Sequence, residues 1–399
     1  MRVSGPHAGV ALRVLVGALP LSRRAVLRRV RNSSGAVLDQ ALILWLPGPH
    51  TVTGEDIAEL HLHGGRAVVA SVLAALDAIP HLRPAVAGEF TRRGFENGRI
   101  DLAEAEGLSD LLTAETESQR QSALLLVEGG LGRKVGEWQA ALLNISARIE
   151  AELDFSDEGD VAPVERVEGL WPLIEMIEAM LAAPPAERLK DGVKVVLAGP
   201  PNTGKSSLFN TLVNRDAAIV SEIAGTTRDR IEAPILLGGI PFIVIDTAGL
   251  RDSDDTIEAI GIARAQAAVA SADIIMWLGD AAKAPVGALI IAAKADLGGQ
   301  HLGLPVSIVT GQGVDALKTE IITRARRLLP KPGALALNAR HRTILADVLI
   351  NLQAAMMQHD LLITAEYLRL ARIRLDALTG RAGVEDMLDA LFGAFCIGK

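Results

Sequence analysis

The feature that most constrains the fold of this chain is the run Gly199-Pro-Pro-Asn-Thr-Gly-Lys-Ser206, which follows the apolar residues 193–198. It fits the pattern G-x-x-x-x-G-K-[ST], in which a strand leads through a glycine-rich loop into a helix. The glycines let backbone N–H groups surround phosphate oxygens, Lys205 reaches the terminal phosphates, and the Ser206 hydroxyl binds magnesium. A helix starting at Ser206 adds its dipole to the same site. The run predicts a nucleoside triphosphate site, and the alternative is an ordinary Gly-Pro turn.

Two motifs further along the chain favour the nucleotide site. The turn-like run Gly225-Thr-Thr-Arg-Asp229 offers a threonine that can complete magnesium coordination and sense the γ-phosphate. The apolar residues 241–245 lead into Asp246-Thr-Ala-Gly249, whose aspartate is suited to magnesium and whose glycine N–H is suited to the γ-phosphate. The residues predicted to contact nucleotide in the three motifs are Asn202, Thr203, Gly204, Lys205, Ser206, Ser207, Thr226, Thr227, Asp246, Thr247, Ala248 and Gly249.

A fourth motif predicts which base is bound. Lys294-Ala-Asp296 follows an apolar run at the place where GTPases carry Asn-Lys-x-Asp. An aspartate accepts from both the ring N–H and the exocyclic amine of guanine, a contact that adenine does not offer. Lys294 and Asp296 therefore predict GTP, while Ala293 in place of asparagine predicts binding weaker by about 1–2 kcal/mol. Residues 307–311 match the last guanine-contacting loop only weakly.

Length and composition narrow the class of protein. A chain of 399 residues suggests two or three domains, and a hydrophobic content of 49% excludes wholesale disorder. A net charge of −8 argues against nonspecific coating of nucleic acid, and 3% aromatic residues argue against a base-stacking surface. The single cysteine, Cys396, cannot form an internal disulfide, and no apolar run of about 18 residues is present to enter a membrane. We therefore expect a cytoplasmic protein.

Hydrophobic periodicity changes along the chain. The first hundred residues mix β-rich runs, such as residues 41–46, with a helix over about 66–76. Residues 102–153 predict a long amphipathic helix broken at Gly129-Gly130, and residues 164–181 predict a second helix. Strands alternate with helices over 191–329, as in a parallel sheet, and after Pro330 the pattern predicts uninterrupted helix. The pattern favours a helical domain interrupted by an inserted α/β domain.

Several motifs together resemble the MnmE (TrmE) family of tRNA-modification GTPases. They are Asn202 inside the phosphate loop, the run 225–229, Asp246-Thr-Ala-Gly-Leu-Arg251 and the terminus Cys396-Ile-Gly-Lys399. Four landmarks extend the resemblance over nearly the whole chain, at residues 53–56, 63–65, 88–90 and 154–155.

The resemblance implies a multidomain α/β fold. Residues 1–97 would form an N-terminal α+β domain for folate binding and dimerisation. Residues 98–190 and 331–399 would form the two parts of a central helical domain, and residues 191–330 an inserted P-loop GTPase domain with a mostly parallel sheet.

The resemblance also implies how GTP is hydrolysed. The family's GTPases are activated by potassium and by dimerisation, with potassium at Asn202 and magnesium at Ser206 and Thr227. Glu258 falls on the family's catalytic, water-orienting glutamate, and the alternative is a solvated carboxylate at a helix start.

A second set of residues is implied to serve one-carbon chemistry. Arg2, Glu59, Arg99 and Lys399 fall on positions that bind 5-formyl- or 5,10-methylene-tetrahydrofolate, and Arg99 replaces a lysine of some members. Cys396 is implied to act catalytically near the target base, and the alternative is a small buried hydrophobe. The family has a strand and a Gly-rich turn before the run that opens this chain, so we expect either an upstream start or a domain lacking that edge strand.

The implied activity joins these sites. A homodimer would associate with an FAD-dependent MnmG (GidA)-like protein in a heterotetramer. The complex would add a carboxymethylaminomethyl (aminomethyl-type) group to C5 of the wobble uridine of certain tRNAs. The alternative is a regulatory GTPase switch of the ribosome-assembly type without modifying activity.

Two clusters in the first hundred residues leave alternatives open. His61 and His63 suggest half a metal site, but without a convincing third ligand they favour a strand with two histidines on one face. The basic group Arg23, Arg24, Arg28, Arg29 and Arg31 is equally compatible with tRNA phosphate contacts and with a solvated strand face.

Overall fold

A computed structural model describes residues 1–154, 168–216, 232–247, 258–298, 302–380, 391–393 and 395. The chain divides into two compact units. Unit 1 contains residues 1–109, 126–144 and 372–399, and unit 2 contains residues 110–125 and 145–371. Within the described ranges, every helix is too short or too polar to cross a membrane. The domain boundaries at residues 97, 190 and 330 stay predictions.

Unit 1 contains a four-stranded antiparallel sheet in the order β1-β4-β3-β2. Its strands are β1 (Arg2–Ser4), β2 (Val26–Arg31), β3 (Val37–Leu46) and β4 (Ile57–His61). The apolar run 41–46 is part of β3, as predicted. A turn joins β2 to β3, and Asn32 Oδ1 holds it by accepting from the N–H groups of Ser34 and Ala36.

Two helices, α1 (Ala8–Val16) and α2 (Arg66–Asp77), contribute to the core of this sheet. The buried residues Ala8, Ala11, Leu12 and Leu15 of α1 recur at the spacing of one helix face. They form a single cluster with inward-facing strand residues, which are Val30, Ala41, Ile43, Ala58 and Leu60. Burial of this amphipathic stripe is what fixes the sheet and α1 together.

The helix α3 (Glu89–Glu96) begins at a point of close backbone packing in unit 1. Gly88 has φ +68, and a Cβ there would lie 2.2 Å from the carbonyl oxygen of Phe392. Phe392 and Phe395 pack with Leu102 and Ala105 in a small buried cluster. Only glycine combines this backbone conformation with this close approach.

The long helix predicted over residues 102–153 is three helices, α4 (Leu102–Thr113), α5 (Glu117–Val127) and α6 (Gly130–Asp154). The break at Gly129, which has φ +73, is confirmed. The prediction was wrong between α4 and α5, where Thr116 Oγ1 accepts from the Gln119 N–H and Gln119 Oε1 accepts from the Thr116 N–H. The sequence T-x-x-Q is a capping box, so the signal was present.

Unit 2 contains the helices α7 (Trp171–Ala182), α8 (Glu187–Lys190) and α12 (Ala339–Met357). The uninterrupted helix predicted after Pro330 is also wrong, because α12 ends at Met357 and α13 (Leu361–Thr379) follows. Asp360 Oδ1 accepts from the backbone N–H groups of Leu362 and Ile363 and so caps the start of α13.

A six-stranded sheet in unit 2 has the order β10-β9-β8-β5-β7-β6. Neighbouring strands are parallel except for β6, which is antiparallel to β7. The strands are β5 (Val193–Ala198), β6 (Glu232–Leu237), β7 (Ile240–Asp246), β8 (Ile274–Leu278), β9 (Leu289–Ala293) and β10 (Leu304–Val306). The helices of this region are α9 (Lys205–Asp216), α10 (Glu258–Ala270) and α11 (Val314–Leu328). The predicted α/β fold with a mostly parallel sheet and flanking helices is confirmed.

Continuous apolar runs explain why these strands are buried. Val193, Val195 and Leu197 of β5 share one core with Leu208 and Leu212 of α9. Strands covered on both faces lack polar alternation. In parallel sheets the loops at the carboxyl ends of the strands form the ligand site, and the motifs after β5, β7 and β9 lie at that edge.

Candidate functional site

The phosphate loop connects β5 to α9 and is held by close backbone packing. Gly199 has φ +142, and a Cβ there would lie 2.1 Å from the carbonyl oxygen of Leu278 at the end of β8. Gly204 has φ +98 and Asn202 has φ +61. No motif of the sequence includes Leu278, because it becomes a neighbour of Gly199 only through the pairing of β5 with β8.

Lys205 begins α9 and lies beneath the loop. Its side chain is buried, and its Nζ donates to the carbonyl oxygens of Gly199 and Pro200 at 3.1 and 2.7 Å. Thr203 Oγ1 donates to the same Pro200 oxygen at 2.9 Å. Ser206 and Ser207 follow in the first turn of the helix and are exposed. The loop thus brings together the six residues 202–207 predicted from the motif, with α9 starting one residue earlier than expected.

Asp246 and Thr247 lie at the carboxyl end of β7. Asp246 pairs in register with Leu197 of β5, two residues before the phosphate loop. Thr247 Oγ1 donates to the Leu197 carbonyl oxygen at 2.7 Å, and both Asp246 and Thr247 are buried. This strand pairing places the Asp246 carboxylate at the edge where the loop begins.

The turn after β9 contacts the phosphate loop directly. Lys294 has φ +61, and its Nζ donates to the Asn202 carbonyl oxygen at 3.2 Å. Asp296 lies in the same turn and is exposed. The two residues predicted for base recognition are therefore on one turn, tied to the loop predicted for the phosphates.

The weakly matching segment 307–311 follows β10. Ser307 is fully buried, and its Oγ accepts from the Thr310 N–H at 3.2 Å, whereas Val309 is 82% exposed. The segment is a turn closed on itself by the Ser307 hydroxyl. Two of its three exposed residues, Ile308 and Val309, are apolar, and the third is Thr310.

Several predicted residues lie outside the described part of the chain. They are Thr226, Thr227, Ala248, Gly249, Cys396 and Lys399. Glu258 is the first residue of α10, and its side chain is likewise outside the description. The proposed roles of these residues stay predictions.

Of the residues predicted to bind folate, Arg2 and Glu59 lie together. They occupy paired positions of β1 and β4, and Arg2 Nε lies 3.0 Å from Glu59 Oε1. Glu59 Oε2 also lies 3.3 Å from Nε2 of His61. Arg99 has another partner, because its Nε donates to the Thr51 carbonyl oxygen at 3.1 Å.

A cavity of about 1000 Å³ adjoins β1 and was not anticipated from the sequence. Arg2, Arg83 and Arg93 line this cavity together with apolar residues of α2, such as Val69 and Leu73. Glu59 and Arg99 are not among the described residues that line it. The charged lining residues come from segments more than 70 positions apart, so no local spacing predicted the cavity.

Glu89 connects two of these arginines in what we call the Glu89 network. Its carboxylate accepts from Arg83 Nη1 and Nη2 at 2.9 and 2.6 Å, from Arg93 Nη2 at 2.7 Å and from the Val86 N–H at 2.9 Å. Burial opposes ionisation of this carboxyl, but the bonds from Arg83, Val86 and Arg93 outweigh it and lower its pKa to about 2.

The network continues from Arg93 to β1. Arg93 Nη1 donates to Glu55 Oε2 at 2.9 Å, and the Ser4 hydroxyl donates to the same oxygen at 2.9 Å. Residues 55 and 89 each fall within a family landmark of the sequence analysis. The resemblance to the family was the only feature of the sequence that drew attention to these two residues.

The two histidines have separate partners. His61 ends β4 beside Glu59, whereas His63 lies beyond the strand and its Nδ1 is 2.7 Å from Asp39 Oδ1. The expectation that both lie within one strand was therefore wrong for His63. Within the described ranges, no group of three His, Cys, Asp or Glu side chains could hold a metal ion.

Comparisons with known proteins cover the whole chain. Residues 1–99 match the family described as GTP-binding protein TrmE N-terminus, and residues 102–396 match the MnmE helical domain family. A tRNA modification GTPase MnmE from Rhizorhabdus wittichii is 56% identical, covering 100% of this chain and 93% of that protein. Another from Novosphingobium aromaticivorans is 53% identical, covering 100% of this chain and 96% of that protein.

Among solved structures, the FeoB G domain from Methanococcus jannaschii is 22% identical. The match covers 34% of this chain and 98% of the FeoB G domain, and its TM-score is 0.25.

Proposed function

The chain belongs to the MnmE family of tRNA modification GTPases and is a GTP hydrolase, and we propose that its GTPase cycle serves modification of C5 of the wobble uridine in certain tRNAs. The group added would be of the carboxymethylaminomethyl type, with a tetrahydrofolate supplying the one-carbon unit. We also propose that residues 1–97 form the N-terminal domain, residues 98–190 and 331–399 the helical domain, and residues 191–330 the inserted GTPase domain.

The observation that supports the proposal most directly is the phosphate loop. Its glycine backbone, the buried Lys205 and the exposed Ser206 at the start of α9 form a site suited to a triphosphate. Asp296, on the turn that Lys294 ties to this loop, is suited to guanine. Phosphates and base would thus be held by two connected loops.

Magnesium fits the oxygen donors at the edge of the sheet. Magnesium prefers hard oxygen ligands and retains several waters. Ser206 offers a hydroxyl, and the Asp246 carboxylate lies where the neighbouring strand ends. We propose that Ser206, with Thr227, binds the ion and that Asp246 holds one of its waters. The ion would offset charge on the phosphates during hydrolysis.

Potassium is proposed at Asn202. This residue is exposed, and its positive φ turns the loop at the point where Lys294 reaches its carbonyl oxygen. An amide oxygen is a suitable ligand for a hard monovalent cation. Asn202 would then orient positive charge at the place where charge develops in the transition state, and Glu258 would orient the attacking water.

The folate and partner proposals rest on family membership. Arg2 and Glu59 supply a cation and a carboxylate on adjoining strands, which suits a ligand with an anionic tail and ring N–H donors. Arg99, Lys399 and Cys396 are proposed to complete that region. A homodimer is proposed to act with an FAD-dependent MnmG-like protein and to bind tRNA.

The cation requirement is tested by steady-state GTP hydrolysis in potassium and in sodium. We expect faster hydrolysis in potassium for the native chain and loss of that preference in Asn202→Ala. Asn210→Ala is the matched control, because Asn210 is an exposed asparagine of α9 outside the loop. Equal rates in both salts for the native chain would remove the proposed role of Asn202.

The modification itself is tested by mass spectrometry of wobble nucleosides in tRNA from cells lacking this protein. We expect loss of the C5-modified uridines and their return when the gene is restored. An unchanged nucleoside profile would contradict the proposal and favour a GTPase switch without modifying activity.

A further inference from the structure

Five arginines lie along one border of the unit 1 sheet. We call Arg23, Arg24, Arg28, Arg29 and Arg31 the basic edge. The last three are in β2, the outermost strand beside β3, and the first two precede it, with Arg23 in a turn. All five are exposed.

None of the five forms an ion pair with a carboxylate within the described residues. Three of them donate to backbone carbonyl oxygens, Arg23 to His50, Arg28 to Leu27 and Arg31 to Gly35. Other arginines of unit 1 are paired, as Arg83 is with Glu89. The basic edge is therefore a local concentration of positive charge in a chain of net charge −8.

Strand geometry spreads these charges. Side chains alternate along β2, so Arg29 and Arg31 share one face and Arg28 points to the other. At about 3.3 Å per residue, β2 from Val26 to Arg31 spans roughly 17 Å, and Arg24 lies two residues before it. A row of this length suits an extended polyanion better than a single small anion.

We propose that the basic edge binds the sugar-phosphate backbone of tRNA. This inference rests on the proposed function, which supplies tRNA as the partner. Guanidinium groups match phosphate oxygens in a bidentate fork, and such contacts position a nucleic acid without reading its bases. The scarcity of aromatic residues agrees with backbone contact in preference to base stacking.

A second physical role for the same residues is protection of the strand edge. Charged side chains on an outer strand discourage pairing with strands of other molecules. This role predicts self-association on neutralisation and no change in tRNA binding, so one experiment separates the two.

The test is the triple substitution Arg24→Gln, Arg28→Gln, Arg29→Gln in the full chain. Arg23 and Arg31 are kept because Arg23 has φ +60 and holds the His50 carbonyl oxygen, while Arg31 holds the turn after β2. Affinity for an unmodified tRNA transcript is measured by fluorescence anisotropy from 50 to 200 mM salt. We expect affinity at the lowest salt to fall about tenfold or more and the salt-dependence slope to fall by about 2–3.

The matched control neutralises the half-buried Arg92 and the exposed Arg120 and Arg369. Each of these arginines is paired with a glutamate three or four residues away in its own helix. The net charge change is the same. We expect this control to keep the slope, and both triple variants to keep the native GTPase rate and melting temperature.

Three results would overturn the proposal. An equal loss of tRNA affinity in both triple variants would show an effect of net charge alone. Unchanged tRNA binding in the basic-edge variant would leave the proposed function intact and remove the tRNA role from these arginines, and new oligomers in size-exclusion chromatography would then assign them to edge protection. Failure of the native chain to bind tRNA would count against the proposed function as well as this surface.

Discussion

The phosphate loop and the Glu89 network hold chain segments in place by different means. The loop depends on backbone packing, since Gly199 approaches the Leu278 carbonyl oxygen too closely for any side chain. The network depends on paired charges, with Arg83 and Arg93 on one buried carboxylate. Backbone packing does not change with pH, whereas a carboxylate loses its partners once it is protonated.

Because of this difference, different substitutions destabilise the two regions. The loop is sensitive to added volume, and it leaves Ser206 and Ser207 exposed at the start of α9. The network uses its hydrogen-bonding groups on itself, which suits it to stabilise the segments around the cavity beside β1. Four substitutions test the comparison.

The largest effect is expected for Gly199→Ala. The added Cβ meets the Leu278 carbonyl oxygen, and a φ of +142 disfavours any L side chain. We expect the nucleotide domain to lose about 4 kcal/mol of stability, seen in thermal unfolding without nucleotide. Gly311→Ala is the control, because Gly311 has φ +79 but open space around it. A control variant as unstable as Gly199→Ala would show that φ alone, and not the close approach, is decisive.

Lys205→Ala tests the phosphate-binding role proposed for the loop. Loss of a buried charge-assisted contact to phosphate is expected to cost about 3 kcal/mol of GTP binding, roughly a hundredfold in affinity by calorimetry. Lys283→Ala removes an exposed lysine of the same domain and should leave affinity unchanged. Similar affinities of the Lys205→Ala and native proteins would place the phosphates elsewhere.

Glu89→Gln tests the charged side of the comparison. The folded pKa of Glu89 lies at about 2, below the ordinary value of 4.5, so its ionised form stabilises the fold above about pH 4.5. That stabilisation is lost as the pH falls from 4.5 through 2. We expect the variant to be less stable by about 2 kcal/mol at pH 7, with the difference shrinking below pH 4.5 in thermal unfolding.

Glu117→Gln is the matched control for Glu89→Gln. Hydrogen bonds from Arg120 and Gln121 lower the pKa of Glu117 to about 2 as well, but this carboxylate is exposed. Solvent and salt screen such a pair, so we expect no measurable change in stability at any pH. Equal destabilisation by the two substitutions would mean that burial is not what makes the Glu89 network matter.

The smallest effect is expected for Ala293→Asn, which restores the residue that GTPases usually carry beside Lys294. One additional hydrogen bond should tighten GTP binding by about 1–2 kcal/mol, roughly five- to thirtyfold by calorimetry. Ala295→Asn changes the variable position of the same motif and should leave the affinity unaltered. If Ala293→Asn binds GTP no better, another group already makes that contact.

Local signals predicted much of the fold. The strand before the phosphate loop was predicted at its observed bounds, residues 193–198, and the break at Gly129 was also predicted. The breaks at Thr116 and Asp360 were missed, although each residue caps the following helix. Apolar periodicity continues through both breaks, so capping residues were the better guide to helix ends.

In the candidate sites, too, local groups of residues were predictable from the sequence and contacts between distant residues were not. The residues of the phosphate loop were predictable because eight consecutive positions carry the whole chemical requirement. The pairing of Arg93 with Glu55 was not, since 38 positions separate them and either charge alone resembles a solvated surface group. The partner of His63 was likewise not predictable, because Asp39 lies 24 positions away on β3. Glu59 lies two residues before His61 in β4, so strand alternation alone places the two side chains on one face.

The sequence by itself determined the order of nucleotide motifs, the base preference expected from Asp296, and the family. These follow from short runs in which neighbouring residues act together. Only the tertiary structure decided that the Leu278 carbonyl oxygen lies against Gly199 and that Lys294 donates to the Asn202 carbonyl oxygen. It also decided that, among the described residues, the arginines of β2 form no ion pair with a carboxylate, whereas Arg83 and Arg93 do. The reason is physical: a motif specifies local backbone and chemistry, whereas the pairing of a charge depends on which distant segments strand register and helix packing bring beside it.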